Sequence, residues 1–167
     1  MTYAAHFSSA DAVMVHLNTF VPGLAPDLQA QYTGFAAVSA VTVYELAIKE
    51  ILIEFSRRKH QVFGYYVQDQ YDRINGRIGL KSLRNEHIPK FGQKYLSRFE
   101  KLLEIEERGA LVNLGGSVKA SYGNIVTWRH EFAHEGRVPG NATFLEATRA
   151  YELGKKVIDC LARTMTR

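Results

Sequence analysis

The sequence predicts an all-α domain, a bundle of five or six helices. Apolar residues recur at steps of three and four over several long stretches, which is the spacing of one face of a helix. No segment alternates between apolar and polar residues regularly enough to indicate a β-strand. The chain has 167 residues, 46% of them hydrophobic, and shows no internal repeat or linker. Residues 1–167 are therefore expected to form a single domain with one core.

The first half of the chain is expected to form two helices. A short helix is predicted from Ser8 to Phe20, before the segment Val-Pro-Gly-Leu-Ala-Pro interrupts it. A long helix follows from near Asp27 to the basic cluster at Arg57, and it has the clearest periodicity in the sequence. The apolar face predicted for this long helix consists of Leu28, Tyr32, Phe35, Val38, Val41, Ile48, Leu52 and Phe55.

The remaining helices are less regular in the middle of the chain and clearer towards its end. Residues 61–74 and 82–107 are predicted to be helical, with glycines loosening the chain between them. After a glycine pair at 115–116, an apolar stripe predicts a helix that ends near His134, where Gly136 stops it. The last helix is expected from Thr143 to about Met165, because Thr143 and Glu146 have the spacing of a capping box.

Composition narrows the partners and the location. The formal net charge of +4 and the isoelectric point near 9.2 favour contact with polyanions, and much of the positive charge lies in the middle third. The single cysteine, Cys160, lies among apolar residues and is interpreted as a core residue. The start of the chain lacks the pattern of a secretory signal, and no stretch is apolar enough to span a bilayer. We therefore predict a cytoplasmic protein without a membrane contact.

The side chains that can carry out a reaction are concentrated in residues 128–136, WRHEFAHEG. This segment allows two interpretations. In the first, His130 and His134 face one side of a helix and bind Zn²⁺ while Glu131 activates water, as in zinc peptidases. However, Gly136 ends the predicted helix directly after this motif, and Arg129 adds a cation beside the metal. A zinc peptidase is therefore only the third choice of function for this sequence.

In the second interpretation the motif is Arg129 and His134, separated by four residues, with the polar His130 directly after the arginine. This segment resembles the HEPN superfamily, whose motif is an arginine, usually followed by Asn, Asp or His, and then a histidine after four to six residues. Ala133 before the histidine, Gly136 after it and the closing amphipathic helix also resemble HEPN domains. The resemblance covers about residues 27–165 and leaves residues 1–26 as an N-terminal helical extension.

The resemblance implies an endoribonuclease that needs no metal or other cofactor and that commonly acts in toxin–antitoxin or phage-defence systems. It also implies RNA as substrate, a homodimer whose two motifs meet across a groove, and an antitoxin or other defence protein as a possible partner. The side chains suit this chemistry, because a histidine can take the proton of the 2′-OH and an arginine can steady the charge on the phosphorane. Positions five apart on a helix point about 140° from each other. Arg129 and His134 therefore meet only through the reach of the arginine, a frayed helix end or a partner subunit.

Other residues are assigned weaker roles. His130 and Glu131 are expected to support the pair, and Glu45 is the acidic residue of the long helix predicted to lie near it. Arg73, Arg77 and Trp128 are predicted to contact substrate. The tyrosines Tyr65, Tyr66 and Tyr71 are expected in the core, with stacking on bases as their alternative role.

Two further hypotheses stay open on the sequence alone. The leading alternative to a nuclease is a non-catalytic HEPN module that binds nucleotides or proteins. In an inert bundle, Arg129 would form an ion pair with Glu131 or Glu45, and His134 would interact with the last carbonyls of its helix. The sequence does not identify the RNA target, the partner or the trigger for activation.

Overall fold

The computed structural model describes residues 2–72, 74, 76–140 and 142–166. Within these ranges the chain is helical and contains no strand, which confirms the predicted all-α bundle. Six helices have eleven residues or more, and a seventh has three. The helices are α1 (Phe7–Asn18), α2 (Pro26–Lys59), α3 (Gln61–Tyr71), α4 (Leu80–Ser82), α5 (Gln93–Leu114), α6 (Val118–Glu135) and α7 (Phe144–Thr164).

The long helix α2 is the centre of the bundle and packs against α1, α3, α6 and α7. Three buried tyrosines, Tyr44, Tyr122 and Tyr151, join α2, α6 and α7. The ring of Tyr44 stacks on Tyr122 at 5.4 Å and on Tyr151 at 5.8 Å between centroids, and its hydroxyl donates to the Tyr151 carbonyl at 2.6 Å. Gly154 makes room for this hydroxyl, because a Cβ at that position would overlap it. The stack fixes α6, the helix that carries the motif, against its neighbours.

The predicted ends of the last two helices are confirmed. The side chain of Ser117 accepts from the backbone N–H of Ala120 at the start of α6, and Gly136 ends that helix with a φ of 62°. Thr143 and Glu146 form the predicted capping box at the start of α7. Cys160 is buried in α7, as predicted.

The predicted apolar face of α2 is correct only in its second half. Val41, Ile48, Leu52 and Phe55 are buried, whereas Leu28 and Phe35 are 50% and 46% exposed. In the first half the buried face consists of small residues, because α6 approaches α2 closely there. The ring of Phe132 covers Gly34, where a Cβ would overlap it. The other small or polar residues buried on this face are Thr33, Ala36, Ala37 and Ala40.

The helix predicted over residues 82–107 is interrupted. Residues 80–91 form short α, π and 3₁₀ turns, and Gly92 has a φ of 116°, which ends them before α5 begins. Pro89 lies in the 3₁₀ turn and lacks an N–H, so a continuous α-helix through it would lose a hydrogen bond and clash with the preceding turn. After the interruption, α5 packs against α7.

Residues 1–26, predicted as an extension, contribute to the core where they are described. Phe7, Ala10, Met14 and Leu17 of α1 are buried in the same cluster as the residues of α2 and α7. The hydroxyl of Tyr151 donates to the carboxylate of Asp11 at 2.7 Å. None of the described helices combines the length and the apolar character needed to cross a bilayer.

Candidate functional site

The site predicted from the motif is formed at the C-terminal end of α6. Arg129 donates from Nη1 to Nε2 of His134 at 2.6 Å, within one protomer. The helix is continuous to Glu135, so neither a frayed end nor a second chain is needed for this contact. The reach of the arginine side chain brings the two groups together, which was one of three routes that helix geometry left open. Arg129 is half-buried and His134 is exposed.

Two further side chains of the motif lie beside the pair. The ring of His130 is 5.2 Å from that of His134 between centroids, at an angle of 52°. Its Nε2 lies 3.5 Å from the carboxylate of Glu135, which also pairs with Arg137. Like His134, His130 is exposed. The two imidazoles therefore form one accessible cluster on the outer side of the helix end, with a carboxylate next to one of them.

A turn from the chain between α3 and α4 borders the arginine. The hydroxyl of Tyr122 donates to the Ile78 carbonyl at 2.7 Å and attaches this turn to α6. Gly76 has a φ of 78°, and a Cβ built on it would lie 3.2 Å from Nη1 of Arg129. The position therefore favours glycine both for its backbone conformation and for the space that the guanidinium occupies. This turn limits where the arginine side chain can move.

Glu45, which the sequence analysis expects near the pair, borders the same turn. Its Oε1 would be 3.6 Å from a Cβ on Gly76, so the carboxylate and the guanidinium of Arg129 border one position. This oxygen is buried and has no hydrogen-bond partner among the described residues. Burial, with the negative charge of Glu45 as a second cause, raises the pKa of Tyr122. A carboxylate that borders the same position as the guanidinium of Arg129 favours the cation electrostatically.

The packing of α6 on α2 holds the end of α6 in place. Phe132, one helical turn after Arg129, covers Gly34 of α2, and Trp128 is buried beside the start of α7. These two aromatic residues flank the arginine in sequence and anchor two sides of the helix. Arg129, His130 and His134 are consequently presented from a helix whose position is set by the core rather than from a loop.

The remaining predicted site residues have other surroundings or lie outside the described ranges. Trp128 is 5% exposed and lines a separate cleft of about 230 Å³ together with Arg149. Arg77 is exposed, and its carbonyl accepts from His87 at 2.7 Å. Glu131 lines a shallow pocket with Arg137. Arg73, predicted to bind substrate, lies outside the described residues.

Two residues that border the site were missed in the sequence as functional positions. Gly76 was interpreted as loosening the chain, although the dipeptide Asn75-Gly76 is a signal for a turn with positive φ. Tyr122 belongs by its spacing to the apolar stripe that predicts α6, and its hydroxyl contact with the turn has no signal in the sequence. Among the described residues, no group of three or more His, Cys, Asp or Glu side chains is arranged to hold a metal ion. His130 and His134 accordingly have no third protein ligand there.

An all-α bundle that pairs an arginine with a histidine at the end of its penultimate helix has the architecture of a HEPN domain. The chain belongs to the HEPN family described as RiboL-PSP-HEPN, whose model matches residues 13–167. Comparisons with curated proteins and with solved structures found no match. Membership in a HEPN family indicates a nuclease or a nucleotide-binding module.

Proposed function

We propose that this protein is a metal-independent endoribonuclease in which Arg129 and His134 are catalytic and His130 supplies the proton of the leaving group. The observation that carries the proposal is the 2.6 Å hydrogen bond between Arg129 and His134. A guanidinium has only donors, so Nε2 of His134 must be unprotonated to accept from it. The pair is therefore held with the imidazole as a base next to a permanent cation. RNA cleavage by the 2′-OH needs both groups.

The reaction proceeds by transfer of a proton and attack at phosphorus. Nε2 of His134 takes the proton of the 2′-OH, and O2′ attacks the adjacent phosphorus. The planar fork of Arg129 turns to two phosphate oxygens and balances the charge of the phosphorane. The P–O5′ bond then breaks, leaving a 2′,3′-cyclic phosphate. The departing O5′ takes a proton from His130, whose ring centre lies 5.2 Å from that of His134.

We propose further that the active form is a homodimer and that the protein acts in a toxin–antitoxin or phage-defence system. Both imidazoles lie on the exposed side of α6, so a second copy can place its own pair across a groove that holds RNA. The excess of positive charge favours an RNA partner. An antitoxin or other defence protein would then restrain the activity.

The test is cleavage of total RNA and of tRNA by the purified protein in excess EDTA, with analysis of the product ends. Wild type is expected to leave 2′,3′-cyclic phosphates, and Arg129→Ala and His134→Ala should each lower the rate about 100-fold or more. Matched controls are Arg108→Ala and His16→Ala, which remove the same residue types from exposed positions on α5 and α1. Both controls should cleave like wild type.

Two outcomes would overturn the proposal. Loss of cleavage in EDTA that returns with added Zn²⁺ would assign the reaction to a metal-dependent nuclease rather than to the arginine–histidine pair alone. Binding of RNA or nucleotide without cleavage, unchanged in His134→Ala, would assign the protein to the non-catalytic HEPN modules instead.

A further inference from the structure

A second surface of the molecule, remote from the motif, combines aromatic rings with lysines. Two adjoining clefts of about 320 Å³ and 350 Å³ lie between α3, the end of α2 and the turns before α5. They share Phe63, Lys90 and Phe91, so together they form one groove, which we call the α3–α5 groove. Its aromatic residues are Phe55, Phe63, Tyr66, Tyr71, Phe91 and Tyr95.

The aromatic residues of the groove are arranged as a wall with an accessible ring at its edge. Phe91 contacts Phe55 and Phe63 edge-to-face, at 5.7 Å and 6.1 Å between centroids. Tyr66, expected in the core from the sequence, is 62% exposed and lines the groove. An exposed tyrosine beside packed rings offers an apolar surface on which a flat ligand can stack.

The charged side chains that line the groove, in the part of the chain that the structure describes, are all positive. Lys59, Lys90 and Lys94 line it, and no aspartate or glutamate is among the described residues that do so. Each lysine lies over an aromatic ring of the groove, with Nζ at 4.9 to 5.9 Å from the ring centroid. The ammonium groups are exposed and spread along both clefts. A ligand that complements this surface has flat rings and several separated negative charges.

We propose that the α3–α5 groove binds an unpaired segment of RNA, whose bases stack on the aromatic wall while its phosphates contact the three lysines. The inference rests on the proposed function, since it places substrate in this groove. Single-stranded nucleic acid is bound elsewhere by this combination of aromatic stacking and a basic track. Two joined clefts with three lysines fit consecutive nucleotides better than one mononucleotide. In a duplex the bases are already stacked on each other and are not available to Tyr66.

The groove lies at a distance that one RNA strand can cover from the catalytic pair. Glu45, which borders Arg129, and Phe55 and Lys59, which line the groove, are all on α2. At 1.5 Å per residue, ten to fourteen residues of helix correspond to roughly 15–21 Å. A strand of several nucleotides held in the groove is therefore long enough to reach Arg129 and His134. The groove would select unpaired RNA and position it for cleavage.

The test is fluorescence anisotropy with a labelled, unstructured 12-mer of 2′-O-methyl RNA, which has no free 2′-OH and cannot be cut. Tyr66→Ala is expected to weaken binding about 5- to 150-fold, the effect of losing one stacked base. Lys90→Ala should weaken binding and lower the slope of log K against log salt by about 0.7. The matched controls are Tyr65→Ala, an adjacent tyrosine that is 59% exposed, and Lys101→Ala on the exposed side of α5. Both controls lie outside the groove and should bind like wild type.

The proposal is overturned if Tyr66→Ala and Lys90→Ala bind the 12-mer like their controls while circular dichroism shows all four variants folded. It is also overturned if a blunt RNA duplex binds as tightly as the single strand, or if AMP displaces the 12-mer, which would assign the groove to a free nucleotide. Failure of the two proposals is distinguishable. Wild type that binds the 12-mer through Tyr66 but cuts no RNA retains the groove and loses the nuclease, and the reverse result retains only the nuclease.

Discussion

His87 and His134 both form hydrogen bonds through their rings, but in opposite surroundings. His87 is 7% exposed and uses both nitrogens, Nε2 on the Arg77 carbonyl at 2.7 Å and Nδ1 on the Tyr71 hydroxyl at 3.3 Å. His134 is exposed at the end of α6, where its Nε2 meets Arg129. One histidine is enclosed by the fold, and the other faces solvent.

The partners of the two rings determine what each histidine can do. A carbonyl only accepts, so Nε2 of His87 carries the proton and Nδ1 accepts from Tyr71. Both nitrogens are thus committed to holding the turn at Arg77 against the end of α3. Arg129 only donates, so Nε2 of His134 is unprotonated, and it is released when the arginine turns to a phosphate. His87 therefore serves the stability of the fold, whereas His134 stays accessible for the proposed chemistry.

Replacing each of these two histidines with alanine is expected to have the largest effects on cleavage and on stability. His134→Ala should lower RNA cleavage about 100-fold or more and change the free energy of unfolding by less than about 0.5 kcal/mol, because the side chain is exposed. His87→Ala should lower the free energy of unfolding by about 2–4 kcal/mol, because it leaves the buried Tyr71 hydroxyl and the partly buried Arg77 carbonyl unpaired. Cleavage per folded molecule should be retained. Urea unfolding and the cleavage assay on the same samples measure both quantities.

The contrast between His87 and His134 fails if one substitution changes both cleavage and the free energy of unfolding. A stable His87→Ala variant that has lost cleavage would place His87 in the chemistry, and a His134→Ala variant that unfolds early would make the motif structural. His16→Ala, at an exposed position of α1, is the common control and should leave both measurements near wild type.

Gly76 lies between the surroundings of the two histidines, because it precedes Arg77, whose carbonyl binds His87, and borders Arg129. Its substitution should have an intermediate effect. Gly76→Ala places a side chain at a φ of 78° and 3.2 Å from Nη1 of Arg129. The backbone conformation alone should cost about 1–2 kcal/mol of stability, and displacement of the guanidinium should also lower the cleavage rate. Gly79→Ala is the matched control, since Gly79 has a φ of −54° and its Cβ would meet open space. That variant should be as stable as wild type or more so by about 0.4–1 kcal/mol.

The fold was predictable where apolar spacing and end signals agree. The capping box at Thr143 and Glu146 and the stop at Gly136 follow from local chemistry, and both are confirmed. The first half of α2 was predicted wrongly because large apolar residues were assumed to be buried. Close approach of α6 selects glycine and alanine instead, and Leu28 and Phe35 are left outside. Which helix approaches closely depends on tertiary contacts, and a single sequence does not encode these as a periodicity.

The candidate site was predictable as a motif but not as a geometry. Arg129 and His134 are recognisable from their spacing and context, whereas their contact depends on an arginine rotamer. Glu45 was predicted near the pair, yet its unpartnered buried oxygen is found only when the turn at Gly76 is placed between α2 and α6. The α3–α5 groove was not predicted, because its residues come from three separate segments whose packing determines which tyrosines stay exposed.

The smallest expected effect is a dependence of stability on pH through His87. Burial lowers the pKa of this imidazole below its ordinary value, and the hydrogen bond to the Arg77 carbonyl only partly opposes it. The unfolded chain, where a histidine titrates near pH 6.5, therefore binds a proton before the folded chain does. Neutral His87 contributes its full stability above about pH 6.5, and this contribution is lost as the pH falls.

The measurement is urea unfolding of wild type and His87→Asn at pH 7 and pH 5.5. Asparagine can keep one hydrogen bond and stays neutral, so the variant starts less stable but should lose less on acidification. The difference in the free energy of unfolding between the two chains should shrink by no more than about 1.4 kcal/mol per pH unit, the limit for one titrating group.

The carboxylates of Glu50 and Glu106 also have lowered pKa values, despite the opposing effect of burial, because their ion-pair and hydrogen-bond partners favour the charged form. Those groups titrate at lower pH and are present in both chains, so they cancel. Parallel losses of stability in the two proteins would mean that His87 is protonated equally in the folded and unfolded states, and the contrast with His134 would then rest on exposure alone.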